Sequence, residues 1–465
     1  MASLRVAVDE LTAGVEPGAE DAAPAVGVAD TVPEAGELNV ASVHIRALGS
    51  DGAGVGNLPD GRVVFVPRTA PGDEVRVRIT RQKRRWARGR LVEVLQAAPR
   101  RVEPACPYYA ECGGCTLQHI AYEDQLVWKT RFVQDALERI GGLEVNVPPV
   151  EPSPAPRAYR SRITFTLLRL SGERVVAGFH HLANPGRIVN VEDGCILPDP
   201  TIANAWRQLR AAWGETARRL PGGRRLRLTL RTVDEGLILV VEGGRGPGRP
   251  DLLLKEVEGL VAVWSIDPKG AQRLLAGQAV VHETRLGEVI RTNPTAFLQV
   301  NENAADHLHR WVLDEARAGP EISVVDAYCG VGLYGRRIAR AGGRAVGIEQ
   351  DHRAAKTAAT DAPEGFTVLT GTVEERLSEA FPADVVILNP PRAGVDARVT
   401  DTLRSDGPPR VIYVSCDPAT LARDLARLRP AYDVSQVRAF DLFPQTSHVE
   451  AAALLERRAV PQIPL

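Results

Sequence analysis

From Ile322 onward the chain alternates apolar runs with helical segments: SVVDAYCG, RAVGIEQ, FTVLTG, ADVVILNPP and RVIYVSC are separated by stretches such as GRRIARAG, HRAAKTAATDA and ATLARDLARLR. Short apolar runs joined through helices predict a parallel sheet covered by helices on both faces. A last pair, VSQVRAFDLF and HVEAAALLE, is expected to end the sheet. In sheets of this kind ligands gather outside the carboxyl ends of the strands, so the residues at those ends are the first place to look for chemistry.

The first of these strands ends in Asp326-Ala-Tyr328-Cys-Gly330-Val-Gly332 and opens a helix, and the next ends in Gly347-Ile-Glu349. Glycines there let backbone approach a ligand closely, and an acid at the end of the second strand pairs naturally with ribose hydroxyls. Gly335 follows without the register of a full G-x-G-x-x-G, so a methyl-donor site is expected in preference to a dinucleotide site. The fourth strand ends NPPRAG, from Asn389 to Gly394, and the fifth ends YVSCDPAT, with Cys416 between Ser415 and Asp417. A lone thiol is commonly an inert core residue. At a strand-to-helix turn a reactive role is the better reading, because a helix N-terminus lowers a thiol's pKa.

Upstream, residues 38–98 show short alternating runs split by Gly and Pro, the pattern of a small all-β barrel. Residues 99–285 mix β-rich segments with a helical stretch near TIANAWRQLRAAW and predict a central α+β domain; residues 286–465 form the α/β domain. Residues 1–37 carry eight acids and one base and are expected to be a disordered acidic tail. Against that tail stand two basic runs. RVRITRQKRRWARGR, from Arg76 to Arg90, holds eight bases and no acid, and RRLPGGRRLRLTLR, from Arg218 to Arg231, holds six. Singly such runs are usually solvated faces; two of them point to a phosphate-backbone partner.

Cys106, Cys112 and Cys115 form C-x5-C-x2-C, and Cys195 follows in VEDGCILP. No stretch approaches the roughly 20 apolar residues of a membrane span, and no secretory signal is evident, so a cytoplasmic protein without membrane contact is expected. Clustered cysteines in that compartment argue for a metal or for catalysis rather than disulfides. Four thiolates suit an iron–sulfur cluster or a structural zinc, and the spacing does not choose between them. It is not the C-x3-C-x2-C of radical S-adenosylmethionine enzymes.

Taken together, DAYCGVG, PPRAG, SCDPAT, the closing FPQTSHVE (Phe443 to Glu450) and FLQVN (Phe297 to Asn301) resemble the RNA uracil-5-methyltransferase family, whose members make 5-methyluridine in tRNA and 23S rRNA. The resemblance covers most of the chain. It implies an N-terminal OB-like TRAM barrel that binds RNA, a central α+β domain with a 4Fe-4S cluster on Cys106, Cys112, Cys115 and Cys195, and a C-terminal Rossmann-like class I methyltransferase domain. It also implies S-adenosylmethionine bound by Gln299, Asp326, Tyr328, Gly330, Gly332, Glu349 and Asn389, with Cys416 as nucleophile at carbon 6 of uracil and Glu450 as the base at carbon 5. A TRAM barrel with four cysteines favours 23S rRNA as substrate over tRNA, acted on by a monomer. One position departs from the pattern: Asn389 stands where the family usually has Asp. Asn-Pro-Pro is also found in enzymes that methylate adenine amino groups, but an aromatic residue normally follows it and Arg392 stands here. That reading, and a catalytically silent RNA-binding protein, both leave the pairing of Cys416 with Glu450 unexplained.

Overall fold

The structure, a computed structural model, describes residues 40–459; the acidic segment 1–37 lies outside the described residues. The described chain forms two compact units, one running to Glu103 together with Thr116–Asp124, the other comprising Pro104–Cys115 and the chain from Gln125 onward.

In the first unit, β1 (Val40–Leu48), β2 (Gly54–Asn57), β3 (Val63–Val66), β4 (Glu74–Gln82) and β5 (Trp86–Gln96) close into a barrel in the order β1-β2-β3-β5-β4. Alternation decides which side chains go inside. Val43, Ile45, Val64, Val66, Val75, Val77 and Ala87 fill the interior, while Arg76, Arg78, Arg88 and Arg90 stand on the outward positions between them. The basic run therefore covers the outer face of a hairpin in a closed barrel. Trp86 is not part of that face: it is buried and packs edge-on against Phe65, with ring centroids 6.4 Å apart.

The second unit contains two large sheets. Helix α1 (Tyr122–Arg139) leads toward the first, which consists of β6 (Arg162–Arg169), β7 (Val175–His180), β8 (Ile188–Asn190), β9 (Arg225–Val233), β10 (Gly236–Glu242), β11 (Leu260–Ile266) and β12 (Gln272–Gly277), in the order β12-β11-β10-β9-β6-β7-β8. Helix α2 (Pro200–Ala212) starts at Asp199, whose side chain caps the Ile202 amide, with Pro200 at the first helical position. Its Trp206 stacks on Phe165 at 3.8 Å between centroids, closing a core with Leu167, Leu226, Leu228 and Leu230. The short helix α3 (Pro250–Glu256) connects β10 to its parallel neighbour β11 and was not expected from the sequence, although Pro250 marks its start. A hairpin, β13 (Val281–Arg285) with β14 (Glu288–Thr292), follows.

The second sheet bears out the strand–helix alternation. After α4 (Glu302–Glu315) come β15 (Ser323–Ala327), α5 (Leu333–Arg340), β16 (Arg344–Glu349), α6 (His352–Ala359), β17 (Phe366–Thr370), α7 (Val373–Arg376), β18 (Val385–Leu388), α8 (Ala397–Asp406), β19 (Arg410–Ser415), α9 (Pro418–Leu428), β20 (Tyr432–Phe440) and β21 (Glu450–Arg457). The order is β17-β16-β15-β18-β19-β21-β20, parallel except for β21, which inserts antiparallel between β19 and β20. The last pair thus ends the sheet with its final strand inside, not at the edge. One core layer packs α8, α9 and part of α1 on one face, and another packs α4, α5 and α6 on the other. The order reverses between β15 and β18, which creates the crevice where such sheets hold ligands.

Candidate active site

The turn after β15 is fixed by contacts that leave no room for side chains. Gly332 caps α5 with φ of 80°, and a Cβ there would lie 2.6 Å from the Phe366 ring. Gly330 has φ of 57°, a region glycine adopts without strain, and a Cβ there would meet nothing within 4 Å, so its backbone borders open space. Beneath the loop Asp326 is fully buried, and its Oδ2 accepts the Gly335 amide at 3.0 Å. Its Oδ1 is buried with no hydrogen-bond partner, and burial first, then the neighbouring Glu349, pushes its pKa up to about 7. Glu349 accepts from the Gly330 amide at 3.0 Å and from the Asp351 amide at 2.8 Å, leaving lone pairs on both oxygens for a hydroxyl donor. Tyr328 sits half-buried with φ of 62° at the same turn, and the Asn389 amide reaches the Ala327 carbonyl across the switch point at 3.4 Å. An amide-rich, glycine-lined crevice with a carboxylate at its rim suits the polar and ribose parts of S-adenosylmethionine.

Register brings Cys416 and Glu450 together. Ser415, the last residue of β19, pairs with Ala451 on β21. One step further along the antiparallel pair lie Cys416 and Glu450, and their charges interact. Glu450 is buried, and that burial pushes its pKa up to about 8; Arg392 and a hydrogen bond from the Gln299 side chain work against the shift. Cys416 departs from expectation. Its thiol is pushed up to about 11, first by burial and then by the Glu450 charge, with Arg392 opposing as an ion and as a hydrogen-bond donor. The N-terminal position was expected to lower that pKa. Asp417 is the N-cap of α9 and uses its own side chain on the Thr420 amide, so the helix end is satisfied locally and its pull on the thiol is outweighed by desolvation.

Arg392 is the site residue that sequence reasoning missed. Helix α9 grips the segment that carries it: Thr420 Oγ1 donates to the Arg392 carbonyl at 3.1 Å, Arg423 donates to the Ala393 carbonyl at 2.7 Å, and the Val395 amide donates to buried Asp424 at 3.1 Å. Asp424 also accepts from the Tyr413 hydroxyl at 2.7 Å. The segment before Glu450 is tied down by Lys129, fully buried, which donates to Asp441 at 2.6 Å and to the Phe443 carbonyl at 3.0 Å. Gln299, expected at the cofactor, hydrogen-bonds Glu450 through its side chain. Its loop hangs from the first sheet, where Arg231 donates to the Ala296 carbonyl at 2.8 Å and the Ser161 amide donates to the Val300 carbonyl at 2.9 Å.

Three of the four clustered cysteines line one buried cluster. Cys106 and Cys115 share a buried cluster with Tyr109, Tyr159 and Leu197, and Cys195 packs against it. Burial pushes the Cys195 thiol up to about 12, and the charges of Cys115, Cys106 and Cys112 add to that shift. Among the described residues, no three His, Cys, Asp or Glu side chains are grouped as a single metal ion would require. No helix among the described residues is long and apolar enough to cross a membrane.

The sequence profile of the tRNA (uracil-5-)-methyltransferase family matches residues 281–458, and that of the TRAM domain matches residues 39–92. An RNA methyltransferase of Gloeobacter violaceus is 38% identical over 446 residues, covering 90% of this chain and 96% of that protein. One from Halalkalibacterium halodurans is 32% identical over 452 residues, covering 90% and 97%. Among solved structures, the Pyrococcus abyssi tRNA (uracil-54, C5)-methyltransferase in complex with S-adenosyl-L-homocysteine is similar with a TM-score of 0.69 at 27% identity, covering 89% of this chain and all of that one. With these matches and a crevice suited to the methyl donor, the chain belongs to the S-adenosylmethionine-dependent RNA uracil-5-methyltransferase family.

Proposed function

We propose that this enzyme methylates carbon 5 of a uridine in 23S rRNA through a covalent bond between Cys416 and carbon 6. The observation that carries this reading is the β19–β21 register, which sets Glu450 beside Cys416 at the carboxyl edge of the sheet, next to the glycine turn and with Arg392 against both. Carbon 5 of uracil is a poor nucleophile. The Cys416 thiol gives its proton to water, Arg392 stabilises the thiolate, and the sulfur adds to carbon 6, moving the ring's electron pair into an enolate whose carbon 5 is nucleophilic. Gly330, Gly332, Glu349, Tyr328 and Asn389, on and around the loop that Asp326 braces, would hold S-adenosylmethionine, which when bound would supply the methyl group to carbon 5 from its sulfonium sulfur and leave as S-adenosylhomocysteine. Glu450, as carboxylate, removes the proton from carbon 5; the electron pair restores the carbon 5–carbon 6 double bond and Cys416 leaves as thiolate. Gln299 orients Glu450 for that step.

Cys106, Cys112, Cys115 and Cys195 would hold a 4Fe-4S cluster in this reading, supported by the shared buried cluster of Cys106, Cys115 and Cys195 and by the charge of Cys112 acting on Cys195. A TRAM barrel combined with four such cysteines favours 23S rRNA. The second reading, a tRNA substrate, is favoured by the likeness to the Pyrococcus abyssi enzyme. Mapping 5-methyluridine in rRNA and tRNA from a deletion strain tests both: loss from 23S rRNA alone supports the first, loss from tRNA alone supports the second, and loss from neither removes the proposed activity.

A further inference from the structure

The second basic run proves to be an amphipathic strand. Along β9, Leu226, Leu228 and Leu230 point into the core shared with α2, so Arg225, Arg227, Thr229 and Arg231 share the opposite face. These arginines do not all do the same work. Arg231 is buried and holds the Gln299 loop through the Ala296 carbonyl, and Arg227 is paired with Glu242 at 3.6 Å. Arg219 and Arg249 nearby are also paired, with Glu256 and Asp251. The exposed Arg224 and Arg225 at the start of the strand, with exposed Arg174 and Arg245 beside them in the fold, have no acidic partner at ion-pair distance among the described residues.

The backbone under this cluster is held rigidly. Arg169 donates to the carbonyls of Thr216, Ala217, Pro221 and Gly223, fixing the turn that leads into Arg224. Gly222 and Arg245 exchange two backbone hydrogen bonds, at 2.8 and 2.7 Å, and the Arg169 amide donates to the Arg224 carbonyl at 2.8 Å. Like charges repel, so gathering four unpaired guanidinium groups from three neighbouring segments costs stability unless an anion meets them. Six residues of strand separate Arg225 from Arg231, roughly 20 Å at about 3.3 Å per residue. That is the reach of roughly six stacked nucleotides at 3.4 Å each from the Gln299 loop.

We infer that Arg174, Arg224, Arg225 and Arg245 form a docking surface for the phosphate backbone of the substrate RNA, engaging nucleotides that flank the target uridine. The inference rests on the RNA-methylating reading above and adds a second contact surface to the barrel. Its recognition is of phosphate and so contributes affinity and orientation, not base identity.

The test uses the full-length protein with in vitro transcripts of 23S rRNA and of tRNA, measuring binding as a function of salt. Arg224→Gln/Arg225→Gln should lower the salt slope by about two and raise KM for RNA roughly tenfold, with kcat and S-adenosylhomocysteine affinity unchanged. Arg224→Lys/Arg225→Lys should restore the slope, because a point charge suffices for phosphate. Arg174→Gln/Arg245→Gln, on separate strands and turns, should lower the slope on its own if the first variant fails to fold. A slope and KM equal to wild type in both folded Gln variants overturns the surface. A lowered slope in a protein whose wild type methylates no uridine upholds the surface and overturns the methylation reading alone.

Discussion

Cys416 and Glu450 lie one residue beyond the Ser415–Ala451 pair of two antiparallel strands, and the Glu450 charge makes the Cys416 thiol harder to ionise. Burial raises both pKa values, and Arg392 opposes both shifts.

The carboxyl of Glu450 gives a stability signature with a defined sign. Its pKa is pushed up to about 8 in the fold from an ordinary value near 4.5. A raised pKa favours the folded state fully below the ordinary value, and that advantage is lost as pH rises toward 8. The loss is on the order of 5 kcal/mol at about 1.4 kcal/mol per unit. Glu450→Gln has no such dependence and should unfold at higher urea than wild type at pH 9, with a much smaller difference at pH 5. Urea titration at the two pH values checks this; a wild type more stable than the variant at pH 9 would contradict the buried-acid account.

Thiol reactivity reports on Arg392. With its pKa near 11, Cys416 in the free enzyme should react with iodoacetamide at pH 8 roughly 100-fold more slowly than an unperturbed cysteine. Arg392→Gln should slow it further, by removing the group that opposes the shift. Peptide mapping of alkylated protein measures both, and faster labelling in the variant would show that Arg392 shields the thiol instead of stabilising its anion.

Lys129 and Asp441 form a buried pair that holds the approach to Glu450. Lys129→Met leaves the Asp441 carboxylate without its buried counter-charge, although the Phe443 amide still donates to it at 3.2 Å, and should cost about 3–5 kcal/mol. Replacing both, as Lys129→Met/Asp441→Leu, should recover most of that loss. Denaturant unfolding of the single and double variants decides whether the pair is an electrostatic unit or two independent side chains.

Anaerobically purified protein should be brown and carry about four irons per chain. Cys195→Ser should lower the iron content and bleach the colour. Stoichiometric zinc with no iron would reject the cluster assigned to Cys106, Cys112, Cys115 and Cys195.

Much of this was legible in sequence wherever the signal is local. The strand–helix alternation fixed the order of elements from Ser323 to Leu428, and motif residues such as Gly332, Glu349 and Cys416 fall at strand ends as the pattern requires. Signals that depend on distant partners were not legible. Lys129 sits on a helix face where a cation is unexpected, and its partner lies 312 residues away. The insertion of β21 inside the sheet, which buries Glu450, depends on antiparallel register that no local run of residues encodes. The charge run from Arg218 to Arg231 concealed three different fates, buried anchor, ion pair and unpaired guanidinium, because charge alone carries no information about facing. The Cys416 shift was misjudged for a similar reason: sequence shows the helix end but not the burial that outweighs it.

5-Fluorouridine RNA reports on the covalent bond from Cys416 to uracil. Fluorine replaces the hydrogen that Glu450 must remove, so the substrate should be methylated once and then remain attached, giving a protein–RNA band that survives denaturing gels. Peptide mass spectrometry should place the methylated fluorouridine on Cys416, and Cys416→Ala should form no adduct while still binding S-adenosylmethionine. Methyl transfer to uridine by Cys416→Ala, or the lack of any adduct with a fluorinated RNA shown to bind wild type, would contradict the account.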